Sequence, residues 1–162
     1  MSIEKVRAYF QTLGIENRIQ EFDVSSATVE LAALALGVDG ARIAKTLSFM
    51  LGERCLLIVA AGDARVDNKK YKARFGGKAK MLPHDDVPEY IGHAVGGVCP
   101  FAVKDGVEVW LDESLKRFTT VFPASGSANS AIELTIPELE RYSCCAGWVD
   151  VCKDWQTEEA AN

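Results

Sequence analysis

A chain of 162 residues, 48% apolar and 25% charged, has material for one hydrophobic core of ordinary size rather than two. A net charge of −5 at pH 7 does not mark a general polyanion binder, and no apolar run approaches the roughly 20 residues that a bilayer-spanning helix needs. The opening MSIEKVRAYF is charged and amphipathic, so no secretory leader and no membrane association are expected, and the chain reads as cytoplasmic.

In chain order, Ser2 can cap a first helix whose apolar stripe is Ile3, Val6, Phe10 and Leu13, with Gly14 closing it. RIQEF (18–22) reads as a short strand. Ser25 and Ser26 offer caps for a second helix, TVELAALAL, which Gly37 ends. DGARIA (39–44) is one more helical turn. IAKTLSFML (43–51) alternates as a strand, and GER sets it in a hairpin with CLLIVAAG (55–62). Asp67 can cap the basic helix NKKYKARF, which Gly76 and Gly77 stop. KAKML (78–82) is predicted as a short strand and HDDVPEYIG as a short helix, followed by the glycine-rich HAVGGVCPF.

The last third alternates quickly. VEVWL (107–111), TTVFP (119–123) and AIELT (131–135) read as strands, DESLKRF as a short helix and ASGSANS (124–130) as a loop. TIPELERY carries Thr135 and Glu138 at capping-box spacing, and WVDVC (148–152) is an edge strand. These elements do not follow regular βαβ alternation. They specify a single α+β domain over residues 1–155, built on a mixed, largely antiparallel sheet with short flanking helices. QTEEAAN (156–162) is expected to be a flexible tail.

Four features could carry chemistry. Two-residue alternation puts Lys45 on the same face as Leu47, Phe49 and Leu51. Either its stem covers apolar surface while its ammonium reaches water, or the ammonium stands at a pocket rim, where low dielectric strengthens its pull on an oxygen. GGVCP (96–100) is a turn whose glycines permit close backbone approach, and it can present N–H groups to a carbonyl oxygen. ASGSANS is a solvent loop or a wall of small residues. KKYKARFGGKAK (69–80) holds six of the eighteen basic residues and no acid, which makes it a solvated face or a dock for phosphates.

Other chemistry is poorly served. There is no Gly-x-Ser-x-Gly elbow or Walker loop, and His84 and His93 alone could support a serine triad. Nothing marks Cys99 as a nucleophile. The five cysteines, at 55, 99, 144, 145 and 152, lack C-x-x-C spacing and read as reduced thiols rather than as a disulfide framework or a zinc site.

Taken in order, the lysine of AKTL, the G-x-x-x-P of residues 96–100, the strand ending in Asp in VWLD (109–112) and VFPASG followed by AIEL resemble the YbaK family of stand-alone aminoacyl-tRNA deacylases. They are similar also to the editing domain inserted in bacterial prolyl-tRNA synthetases. The likeness runs from about Glu21 to Tyr142. It implies a mixed-sheet α+β fold and hydrolysis of a small amino acid wrongly esterified to tRNA, typically proline tRNA, without metal, cofactor or covalent protein intermediate.

At matching positions the resemblance implies a catalytic set of Lys45, Gly96, Gly97, Pro100 and Gly126. Substrate-binding positions are Thr46, Val98, Ala124, Ser125 and Ser127, and Ala124 stands where a cysteine-specific relative is expected to carry serine. Backbone N–H groups around 96–98 or 125–127 would stabilise the ester carbonyl oxygen, and the 2′-hydroxyl of the terminal adenosine would help orient water or the leaving group. Lys69, Lys70, Lys72 and Lys78 would then meet backbone phosphates of the acceptor stem. The implied partners are mischarged tRNA and prolyl-tRNA synthetase, for a monomer or homodimer. The competing reading is a non-hydrolytic module of the same fold that binds tRNA or a synthetase, and a hydrolase of another activated ester ranks third.

Overall fold

The computed structural model describes residues 2–155, so the predicted tail at 156–162 lies outside the described residues. Helix α1 (Ser2–Thr12) places Val6 and Phe10 wholly inside the core, and Gly14 closes it with φ 72°. Ser2 is the first helical residue rather than the cap. Strand β1 (Gln20–Glu21) lies within the predicted strand. Helix α2 (Val29–Leu36) is capped by Thr28, whose hydroxyl accepts the Leu31 N–H at 3.1 Å, and not by the serines. Ser25 and Ser26 stand too far back to reach the free N–H groups, and both approach the Ala128 carbonyl at 3.4 Å instead.

Strands β2 (Ile43–Leu51) and β3 (Arg54–Ala61) pair residue for residue from Ala44↔Ala61 to Leu51↔Arg54. Gly52 opens the two-residue turn with φ 62°, which β-branched and bulky residues resist. Strand β4 (Arg65–Val66) leads into α3 (Asn68–Phe75), where the Asp67 carboxylate accepts the N–H groups of Lys69 and Lys70. Tyr71 is fully buried against Phe49 and Phe75, so α3 covers the Phe49 face of the sheet. Helix α4 (Val87–Ile91) follows, then β5 (Glu108–Asp112), β6 (Thr120–Pro123), β7 (Ser130–Ala131), β8 (Leu134–Thr135), α5 (Ile136–Tyr142), β9 (Gly147–Val149) and β10 (Cys152–Lys153).

The main sheet has the order β8-β6-β2-β3-β5-β9. Pairs β2–β3 and β6–β8 are antiparallel, while β2–β6, β3–β5 and β5–β9 are parallel. Two antiparallel ribbons, β1–β7 and β4–β10, and the isolated bridges Phe49–Met81 and Ala124–Ala131 complete the pairing among the described residues. The architecture is the expected mixed α+β domain. Central β3 is buried from Cys55 to Ala61, so both sheet faces are covered.

Three predicted strands are corrected. KAKML forms only a bridge between Met81 and Phe49, with Met50 N–H donating to Lys80 O and Leu82 N–H to Ser48 O at 2.9 and 3.0 Å. AIELT splits because the chain changes partner, Ala131 pairing with Gln20 and Leu134 with Val121. WVDVC splits into β9 and β10 because the Asp112 carboxylate takes the Val151 N–H between them at 2.9 Å. All five cysteines are free, and no helix among the described residues is long and apolar enough to cross a membrane.

Candidate active site

Strand β2 is paired along its length on one side only. On the other side the ladder with β6 stops at Ala44↔Pro123, and residues 80–82 come alongside only at Ser48 and Met50. The stretch between opens into a cleft of ≈ 380 Å³ that wraps this strand edge, since residues 43 to 48 from both faces of β2 line it. Thr28, Val29 and Ala32 of the α2 region form one wall, Leu82, His84 and Val87 another, and Gly96, Val98, Phe122 and Ala124 close it.

The Lys45 ammonium neither runs to bulk water nor stands unpartnered. It donates to the carbonyls of Ala64 and Gly62, the latter at 3.3 Å, just past the end of β3. An ammonium has three donors, so one N–H remains for a ligand in the cleft that Lys45 lines. Burial pushes its pKa below the ordinary lysine value.

The two loops singled out from sequence lie against each other. A Cβ on Gly97 would stand 2.7 Å from Gly126 C and from Ser127 N and Cα, so only glycine allows this approach. Gly96 and Gly126 take φ values of 89° and 97°, in the region that disfavours side chains. Ser127 Oγ is held between Asn129 Oδ1 at 2.9 Å and Ser130 Oγ at 2.7 Å.

Of the ten candidate site positions, Lys45, Thr46, Gly96, Val98 and Ala124 line the cleft. Gly97, Pro100, Ser125, Gly126 and Ser127 are outside its lining; the first four are buried and shape the wall from behind. Gly97 N–H already donates to Ala94 O at 3.0 Å, which removes it as an oxyanion donor.

Cys99 is wholly buried, and burial pushes its thiol up to about 12, so it is neutral and inert. His93, 3.6 Å away and also buried, gives its Nε2–H to Phe101 O at 2.6 Å, and burial lowers its pKa. This pair braces the loop from inside. The sequence marks His84 only as a possible triad histidine and does not anticipate the α2 residues that wall the cleft. Their one local signal was Ala32, a small residue on the face that α2 turns toward Ile43 and Phe122.

Lys69, Lys72 and Lys78 are exposed, whereas Lys70 is tied to Asp150 Oδ1 at 3.1 Å and Cys152 O at 2.9 Å. None of the four lines the cleft. They follow β4, which begins directly after the carbonyls that Lys45 holds.

Residues 23–142 match the model of the aminoacyl-tRNA editing domain. The chain is 56% identical over 157 residues to the uncharacterized protein YwhH of Bacillus subtilis (strain 168), covering 96% of this chain and 100% of that one. It superposes on the crystal structure of a proposed trans-editing enzyme for prolyl tRNA synthetase with TM-score 0.84 and 27% identity, over 94% of this chain and 97% of that one. A hypothetical protein, APE2540, superposes with TM-score 0.82 and 27% identity over 92% and 99% of the two chains.

Proposed function

Because the chain belongs to the aminoacyl-tRNA editing domain family, we propose that it is a trans-editing deacylase that hydrolyses the ester of a small amino acid mischarged on tRNA, with proline tRNA as its carrier. The observation that carries this reading is Lys45, which lines the cleft with its ammonium anchored on two carbonyls; apart from His84, the other side chains lining that cleft are apolar or hydroxyl-bearing.

Such a site suits an ester that is already activated. It holds no lowered-pKa thiol, and Cys99 is buried and neutral. The protein's work is to position the acyl group, exclude bulk water from its alkyl side chain and stabilise charge that develops on the carbonyl oxygen. Lys45 supplies a cationic N–H to the carbonyl or to an oxygen of the terminal nucleotide. The 2′-hydroxyl of the terminal adenosine orients the attacking water or the leaving oxygen. Lys69, Lys72 and Lys78 meet acceptor-stem phosphates, and the protein works in the cytoplasm beside prolyl-tRNA synthetase.

The test is single-turnover hydrolysis of proline tRNA charged in turn with alanine, cysteine, serine, threonine, 2-aminobutyrate and proline, for wild type and Lys45→Ala. Release of a mischarged residue by wild type, lost in the variant, supports the reading. Bound tRNA with every ester intact replaces it with the non-hydrolytic binding module.

A further inference from the structure

Resting on the deacylase reading, we infer that Thr46 recognises the aminoacyl group through its backbone. The substrate adds to the free edge of β2 as a strand of one residue. Its α-ammonium donates to the Thr46 carbonyl, and its ester carbonyl oxygen accepts the Thr46 N–H.

The argument begins with register. Leu51↔Arg54 closes the two-residue hairpin, so the backbone groups of Leu51 face β3, and by alternation those of Phe49, Leu47 and Lys45 do too. Even-numbered residues point the other way: Ser48 C=O accepts from Leu82 and Met50 N–H donates to Lys80. Thr46 N–H and C=O therefore point to the outer edge. Strand β6 does not meet them, because its extension turns away and Ala124 bridges to Ala131 instead of running on along β2. Thr46 sits in the gap, and it lines the cleft.

A strand edge left open inside a cleft is a recognition element with a defined complement. An aminoacyl ester carries the same N–Cα–C=O unit as a strand residue, so it can exchange both hydrogen bonds with Thr46, as a directly opposed antiparallel pair does. Residues opposed in this way project side chains to the same face. The amino acid's side chain then lies on the Thr46 face of the sheet, and Lys45, one residue along, acts from the opposite face.

This pairing also supplies the donor that Gly97 cannot. Water adds to the ester carbon, charge builds on the carbonyl oxygen, and collapse breaks the bond to the ribose oxygen, which takes up a proton. The Thr46 N–H is fixed by the β2–β3 ladder, so it strengthens its bond to that oxygen without moving.

Amide hydrogen exchange and proton chemical shifts test the proposal. The probe is 3′-alanylamino-3′-deoxyadenosine, a non-hydrolysable aminoacyl-adenosine amide, set beside its 3′-propionylamino counterpart, which lacks the α-ammonium. In the free protein the Thr46 amide is expected to exchange at least tenfold faster than those of Lys45 and Leu47, which are bonded to β3. The alanyl probe should move the Thr46 amide proton downfield and slow its exchange, and the propionyl probe should bind roughly tenfold more weakly, the worth of about one charged hydrogen bond.

Slow Thr46 exchange in the free protein, no binding of the alanyl probe, or binding that leaves Thr46 unchanged overturns the inference. Hydrolysis of a mischarged tRNA with Thr46 unaffected by the probe leaves the deacylase reading standing alone. Protection of Thr46 with no ester hydrolysed supports the edge pairing and removes the deacylase reading.

Discussion

Gly97 lies so close to Ser127 that a Cβ on it would stand 2.7 Å from both the N and the Cα of Ser127. Two loops about thirty residues apart in the chain meet there backbone to backbone, and Val98 and Ala124, which flank the contact, face the cleft.

Gly97→Ala should therefore separate the loops. Because backbone cannot yield as a flexible side chain does, the expected cost is about 1–3 kcal/mol in urea unfolding. Single-turnover deacylation should fall with it, since the wall carrying Val98 shifts. Unchanged stability and rate would show that the loops slide past the added methyl group freely.

Lys45→Ala should fold and lose deacylation by roughly 10²–10³-fold, the usual effect of deleting one transition-state donor. The pH dependence follows from burial, which lowers the Lys45 pKa from the ordinary value of 10.5. Between the lowered value and 10.5 the unfolded chain binds the extra proton, so this residue's contribution to stability becomes more favourable as pH rises through that window. Wild type should gain stability relative to Lys45→Met over that alkaline range, and urea midpoints at successive pH values check it.

Glu138 sits between Arg18 and the N-terminus of α5. The Arg18 guanidinium, bonded to its carboxylate at 2.7 and 3.1 Å, and the Thr135 N–H at 2.9 Å hold it down at about 2. Its stabilising effect is complete above the ordinary value of 4.5 and fades as pH falls through about 2. Glu138→Gln should remove about 1–2 kcal/mol at neutral pH, allowing for solvent screening of the partly exposed pair, and flatten the acid limb of the stability curve.

The basic helix divides by partner. Lys69→Glu with Lys72→Glu should raise KM for charged tRNA and reduce the slope of log affinity against log salt by roughly 2. Lys70→Ala should act first on stability, because it frees Asp150 and the Cys152 carbonyl from α3. Deacylation kinetics from 50 to 200 mM salt, with thermal unfolding alongside, separate the two effects.

Much of this was legible locally. Asp67, the Thr135–Glu138 box and the Gly52 turn hold their predicted places, because a cap or tight turn finds its partner within three residues. Alternation correctly set Lys45 beside Leu47 and Phe49, and the order of motifs marked the family. KAKML and AIELT misled because strand formation depends on which distant segment lies alongside. Residues 80–82 meet β2 only near its end, and Ala131 and Leu134 answer to different partners. The sequence by itself determined most of the elements, the caps of α3 and α5 and the lysine's face. Tertiary structure alone decided that β6 turns away after Pro123, that the outer edge of β2 is left without a strand partner at Thr46, and that Lys45 meets the carbonyls at the end of β3. Those outcomes rest on pairings between backbone groups far apart in the chain, and backbone groups are the same in every residue.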